Sequence, residues 1–94
     1  MRVGLLTLQL RLVGVDSLKA KRSIVKGLLA EIERRGPAFA VAEVGELDSH
    51  EFAVLRIAHV SNDPRFTDAS LCRLRDSFEV GKDYVLEHSE LEIL

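Results

Sequence analysis

Leucines and mixed residues alternate along the first part of the chain. The even positions from 6 to 12 carry only leucine: Leu6, Leu8, Leu10 and Leu12. The odd positions carry a mixed set: Leu5, Thr7, Gln9 and Arg11. Because successive side chains of a strand point to opposite faces, this pattern predicts a strand over residues 2–13 that is covered on one face.

Two later segments repeat their apolar residues with the period of a helix. The first stripe consists of Leu18, Val25, Leu28, Leu29 and Ile32, and the second of Thr67, Leu71, Leu74 and Phe78. Asp16 or Ser17 can cap the first helix, and Asn62-Asp63-Pro64 supplies a cap and a first-turn proline for the second. The pattern therefore predicts helices near residues 17–35 and 63–80.

The remaining segments are rich in β-branched, aromatic and alternating residues, which is typical of strands. They cover residues 38–44, 51–60 and 83–94, and the link 45–50 is short enough for a hairpin. The order is therefore strand, helix, strand, strand, helix, strand. With right-handed crossovers, this order predicts one ferredoxin-like α+β domain over residues 1–94, a four-stranded antiparallel sheet with both helices on one face.

Composition narrows the class of protein. A chain of 94 residues with 47% hydrophobic content and a single cysteine predicts one compact domain without an internal disulfide. Its apolar runs are far shorter than the roughly 20 residues needed to span a bilayer, so we expect a cytoplasmic protein without a membrane partner. Residues 1–47 carry eight Lys and Arg against five Asp and Glu, whereas residues 48–94 carry five against ten. Any nucleic-acid role must therefore rest on a local patch.

No motif in the chain indicates catalysis. His50, His59 and His88 fall on different predicted elements, and we interpret them as surface or core residues. Cys72 is expected to be a small, partly buried side chain. Glycines occur singly, without a P-loop or a dinucleotide-binding pattern. We therefore expect a non-enzymatic protein with no metal site and no cofactor.

A cluster of cations at the beginning of the first predicted helix is the strongest functional signal. The candidate nucleic-acid-binding residues are Lys19, Lys21, Arg22 and Lys26. Cations near a helix N-terminus oppose the helix dipole, and an anionic partner offsets that cost. The alternative interpretation is a solvated helix face. Lys21 also lies close to the apolar stripe, where a salt bridge to Glu43 or Glu46 explains it equally well.

The face of the sheet that the helices leave open is a second candidate. We interpret an apolar set predicted to lie there as an oligomer interface: Leu5, Phe39, Val41, Phe52 and Val54. Domains of this topology that recognise RNA stack bases on aromatic residues of the central strands, and here only Phe52 offers that. An apolar open face on so small a domain favours self-association, as a dimer or higher oligomer, over base stacking.

Two motifs resemble a known family. Residues 17–23 read Ser-Leu-Lys-Ala-Lys-Arg-Ser, residues 41–44 read Val-Ala-Glu-Val, and a later apolar strand closes on Ser61-Asn62-Asp63. This combination resembles the YlxP-like family of small bacterial proteins, described as a domain of unknown function. The resemblance implies a ferredoxin-like fold and an association with translation, and it supplies no known catalytic residues.

Two classes of function remain open at this point. In the first, the basic helix, extended by Arg34 and Arg35, binds structured RNA or the small ribosomal subunit. In the second, the chain is a protein–protein interaction module, and the basic helix meets an acidic partner such as the acidic half of a second copy. Both are electrostatic, so the dependence of binding on salt separates them poorly.

Overall fold

A four-stranded antiparallel sheet carries two helices on one of its faces in the computed structural model, which describes residues 1–78, 81 and 83–94. The elements are β1 (Arg2–Leu12), α1 (Leu18–Glu33), β2 (Phe39–Gly45), β3 (Phe52–Ser61), α2 (Pro64–Ser77) and β4 (Tyr84–Ile93). The strand order is β2-β3-β1-β4, so β1 and β3 lie at the centre. The predicted ferredoxin-like α+β fold is confirmed.

Local signals explain where the helices begin. The Ser17 hydroxyl accepts a hydrogen bond from the backbone N–H of Ala20 at 3.1 Å. The Asp63 carboxylate accepts one from the backbone N–H of Arg65 at 2.9 Å. Each bond satisfies a donor that the first helical turn leaves free, and Pro64 follows the second cap with the preset φ of a first helical residue. The predicted continuation of the second helix over 79–80 lies outside the described residues.

The core lies between the sheet and the helices and contains most residues of the predicted stripes, whereas Leu18 and Leu29 are only partly buried. Its members are fully or almost fully buried: Leu6, Leu8, Leu10, Val25, Leu28, Ile32, Ala53, Leu55, Ile57, Leu71, Leu74 and Phe78. The inward-facing residues of β1 and β3 therefore pack against the apolar stripes of α1 and α2 in one layer. This layer fixes which side of each helix faces solvent.

The register of β2 corrects one prediction. Phe39 pairs with His59 and Val41 pairs with Ile57, and both partners point toward the helices. Since directly paired residues share a face of the sheet, Phe39 and Val41 also point inward, where they pack against the core. Their predicted place on the open face is wrong. One alternating set of β2, Ala40, Ala42 and Val44, is wholly apolar, whereas the set of Phe39 and Val41 also contains Glu43. The sequence of the strand therefore does not reveal that the second set is inward.

Two glycines give a matched pair of stability predictions. A Cβ at Gly4 would lie 2.6 Å from Leu71 Cδ1 and 2.6 Å from Thr67 Cγ2, inside the packed core. We expect Gly4→Ala to lower the free energy of unfolding by about 1 to 3 kcal/mol through overpacking. Gly27→Ala meets nothing within 4 Å and should raise it by up to about 1 kcal/mol, because glycine is a poor helix former. Urea unfolding followed by circular dichroism checks both, and equal effects would contradict the packing assigned to Gly4.

Candidate functional site

Three cations form an exposed row on the first two turns of α1. Lys19, Arg22 and Lys26, here called the α1 ridge, are all exposed, and their spacing of three and four residues places them on one helix face. The first turn of α1 contains no acidic residue. Within the described residues, no member of the ridge forms a salt bridge. The ridge therefore presents three side-chain cations to solvent.

Lys21 does not belong to this exposed surface. The residue is 2% exposed. Its Nζ donates hydrogen bonds to the backbone carbonyls of Glu46 and Ser49, each at 2.6 Å, and lies 3.1 Å from Glu43 Oε2. Two N–H groups of the ammonium are therefore donated to loop carbonyls, and its charge lies beside the Glu43 carboxylate. The prediction that Lys21 contacts nucleic acid is therefore wrong. The predicted salt bridge to Glu43 is present, whereas Glu46 contributes its carbonyl rather than its carboxylate.

The contacts of Lys21 attach α1 to the loop between β2 and β3. Glu46 has a φ of 58°, and the loop places two carbonyls at one ammonium group. Glu43 Oε2 is buried and has no hydrogen-bond donor in the described part of the chain, so the nearby lysine charge is what compensates it. Lys21 consequently holds the helix, the loop and the carboxylate of β2 in one arrangement.

A cleft of about 370 Å³ lies between the end of α1 and α2. We call it the arginine cleft, because Arg35 and Arg73 both line it. Its lining residues are Arg35, Gly36, Pro37, Ala38, Phe39, His59, Phe66, Ser70 and Arg73. None of them is acidic, and His59 and Ser70 are the polar residues of the lining besides the two arginines.

His59 lies at this cleft and forms part of a hydrogen-bonded chain. Its Nδ1 is 3.1 Å from the Thr67 hydroxyl, which is 2.6 Å from the Ser61 hydroxyl. Ser61 donates its proton to the carbonyl of Asp63 at 2.8 Å. Thr67 must then donate to Ser61, and His59 must donate from Nδ1 to Thr67. Burial lowers the pKa of His59, which favours this neutral form.

Aromatic rings enclose His59 on two sides. Its ring centroid is 4.7 Å from that of Phe39 and 5.6 Å from that of Phe66. Phe66 is nevertheless 54% exposed. The sequence led us to interpret His59 as an isolated surface or core residue, whereas the structure places it in the wall of this cleft. Two features of the sequence indicate this environment. His59 lies at an inward position of its strand, and Thr67 is a polar residue in the apolar stripe of α2.

The open face of the sheet is apolar on one side and acidic on the other. Leu5, Phe52 and Val54 lie on this face and are half-buried, as predicted. Beside them is a shallow hollow lined by Leu5, Ala40, Val41, Ala42, Val44, Arg56 and Ala58. The β4 side carries three carboxylates: Glu87, Glu90 and Glu92. One of them, Glu87, pairs with Arg11 at 2.6 Å.

The three histidines lie in separate parts of the fold. His50 lies in the β2–β3 loop, whereas His59 and His88 lie on β3 and β4. Among residues 1–78, 81 and 83–94, no three His, Cys, Asp or Glu side chains come together in a way that could hold a metal ion. Cys72 is partly buried, as expected. Neither helix in that part of the chain has the length and apolar character needed to span a bilayer.

Comparisons with known proteins add a family and a fold. A family model described as "Protein of unknown function (DUF503)" matches residues 3–93. Comparison with curated proteins gives no match. The chain is similar to a crystal structure described as "Putative Chlorite dismutase", with a TM-score of 0.53 and 17% sequence identity. The similarity covers 99% of this chain and 44% of that one, so this chain spans less than half of its length. At this identity, the similarity shows the fold alone.

Proposed function

The chain belongs to the DUF503 family of proteins of unknown function, and we propose that it is a non-enzymatic protein that binds RNA through the α1 ridge. The observation that carries this proposal is the difference between neighbouring cations of α1. Lys21 is buried and has its own internal partners, whereas Lys19, Arg22 and Lys26 are exposed and have no salt bridge within the described residues. Their charge is therefore available to an external anion.

The position of the ridge on the helix favours phosphate as that anion. The N-terminal end of a helix carries a partial positive charge, which adds to the field of Lys19 and Arg22. From Lys19 to Lys26 the ridge spans about 10 Å at the rise of an α-helix. That length allows contacts with several phosphates of one strand. Contacts of this kind fix position and supply affinity without reading sequence.

The resemblance to proteins associated with translation narrows the class of RNA. Structured RNA, such as that of the small ribosomal subunit, presents closely spaced phosphates on a rigid surface. Three or four phosphate contacts give a slope of about three in a plot of log affinity against log salt concentration. We therefore expect weak binding that tolerates changes of RNA sequence and is sensitive to salt.

Pull-down from a cell lysate tests whether the partner is RNA or protein. The tagged full chain is incubated with untreated lysate and with lysate treated with nuclease. We expect ribosomal RNA and its associated proteins in the first sample and their loss in the second. Capture that is unchanged by nuclease would overturn the RNA proposal. It would favour the alternative, in which the ridge meets an acidic protein surface such as the β4 edge of a second copy.

Self-association through the open sheet face is a second candidate, supported by the apolar hollow beside Leu5. The candidate interface consists of Leu5, Phe52 and Val54, without the inward-pointing Phe39 and Val41. Burial of this face in a dimer would remove exposed apolar surface from water.

Light scattering coupled to size exclusion checks the proposal of self-association. We expect a dimer or higher oligomer at micromolar concentration, and Val54→Lys should shift the protein toward monomer. A clean monomer of the parent chain would contradict it.

A further inference from the structure

The rim of the arginine cleft carries two guanidinium groups from different elements. Arg35 follows α1, and Arg73 lies on α2. Arg35 donates one hydrogen bond to the Ser77 hydroxyl at 3.1 Å, which leaves other donors of its planar fork available. Neither arginine forms a salt bridge within the described residues. Two such groups at one cleft suit a phosphate, because each can donate two parallel hydrogen bonds.

The wall of the cleft suits a planar ring. Phe66 packs against His59 at a ring-centroid distance of 5.6 Å, while 54% of the residue remains exposed to solvent. An exposed aromatic beside arginines is the arrangement on which proteins stack unpaired bases. The cleft volume of about 370 Å³ lies within the range of about 300 to 1,000 Å³ that is typical of small-molecule sites.

A hydrogen-bond acceptor at the wall of the cleft is a further feature that suits a bound ring. His59 is 1% exposed and lines the cleft. Its Nδ1 proton is committed to Thr67, so Nε2 carries a lone pair. This nitrogen has no hydrogen-bond partner in the part of the chain that the structure describes. An N–H group on a ring bound in the cleft would donate to this lone pair.

We infer that the arginine cleft binds a nucleotide, with its base against Phe66 and its phosphate between Arg35 and Arg73. The cleft is separate from the α1 ridge, so this inference does not rest on the proposed function. The same chemistry is presented by a free nucleotide and by an unstacked nucleotide of an RNA strand. The base supplies the flat ring and the ring N–H or amino donor, and the phosphate supplies the anion.

Titration of the isotope-labelled full chain with AMP, followed by NMR, tests the inference. We expect saturable shifts at the backbone amides of Gly36, Phe66 and Ser70. Adenosine and inorganic phosphate, titrated separately, should each bind at least tenfold more weakly than AMP. Binding of phosphate as tight as that of AMP, or AMP shifts that are absent or lie elsewhere, would overturn it. A short single-stranded oligoadenylate then separates the sources: tighter binding than AMP indicates RNA, and equal or weaker binding indicates the free nucleotide.

Variants assign the binding to the cleft. Arg73→Gln and Phe66→Leu should each weaken AMP binding at least fivefold and leave the melting temperature nearly unchanged, because both side chains are exposed. Arg65 is an exposed arginine of the same helix and does not line the cleft. Arg65→Gln is therefore the matched control and should bind AMP like the parent. Loss of the α1 ridge should also leave AMP binding unchanged, so failure of this inference is distinguishable from failure of the RNA proposal. Equal AMP affinity in Arg73→Gln and the parent would contradict the cleft.

Discussion

Replacing Lys21 with methionine is expected to lower the free energy of unfolding by about 3 kcal/mol, toward the lower end of the range for breaking a buried ion pair from one side. The lower end applies because the side chain of Glu43 keeps 19% of its exposure, whereas that of Lys21 keeps 2%. Methionine fills similar space but leaves the Glu43 carboxylate without its cation. It also leaves two loop carbonyls, those of Glu46 and Ser49, without their donor.

Thermal and urea unfolding of Lys21→Met check this expectation. For a domain of this size the melting temperature should fall by more than about 12 °C, since each kcal/mol corresponds to about 4 to 8 °C. Lys19→Met is the matched control, because Lys19 lies exposed on the same helix, and it should change stability by less than about 0.5 kcal/mol. Adding Glu43→Leu to Lys21→Met should recover part of the loss. Equal stability of the two single variants would contradict the structural role of Lys21.

The second large effect is expected on RNA binding. Changing Lys19, Arg22 and Lys26 together to glutamine should weaken association with RNA or the ribosome tenfold or more, which corresponds to about 1.4 kcal/mol. The magnitude of the slope of log affinity against log salt should fall by about two to three, because three phosphate contacts of about 0.7 to 0.9 each are removed. The melting temperature should stay almost unchanged, since exposed charges contribute little to folding.

A charge-matched triple variant controls for the loss of net charge. Arg2, Arg56 and Arg65 are exposed cations outside the α1 ridge, and changing all three to glutamine removes the same three charges. This variant should keep most of the RNA affinity of the parent. Equal binding by the ridge variant and the parent would show that the ridge is only a solvated helix face.

The fold was predictable because β1 and both helices carry an unambiguous period. Leucine at every second position from Leu6 to Leu12 identifies the face of β1 that points into the core. The apolar stripes of α1 and α2 identify the buried side of each helix. The caps at Ser17 and Asp63 lie where a short polar side chain precedes an apolar stripe. Periodicity, capping and element order agree, and such agreement is what makes a fold readable from a sequence.

Features that depend on register or on loop conformation were less predictable. In β2 the alternating set of Phe39 and Val41 also contains Glu43, whereas the other set is wholly apolar, so nothing in the sequence turns Phe39 inward. The environment of Lys21 depends on a loop whose carbonyls approach each other only after β2 and β3 have paired. The arginine cleft brings together residues from three elements and the segment after α1, including His59 and Arg73. Sequence spacing alone does not reveal these neighbours.

Ultraviolet cross-linking of RNA to the protein in the cells that express it, followed by mass spectrometry of the cross-linked peptides, tests RNA binding through the α1 ridge. The method needs no prior choice of RNA and reports which residues touch it. We expect cross-links within residues 18–26, which contain the α1 ridge, and their loss in the triple glutamine variant. Cross-links confined to the open sheet face around Phe52, or none above the level of the triple glutamine variant, would contradict RNA binding through the first helix.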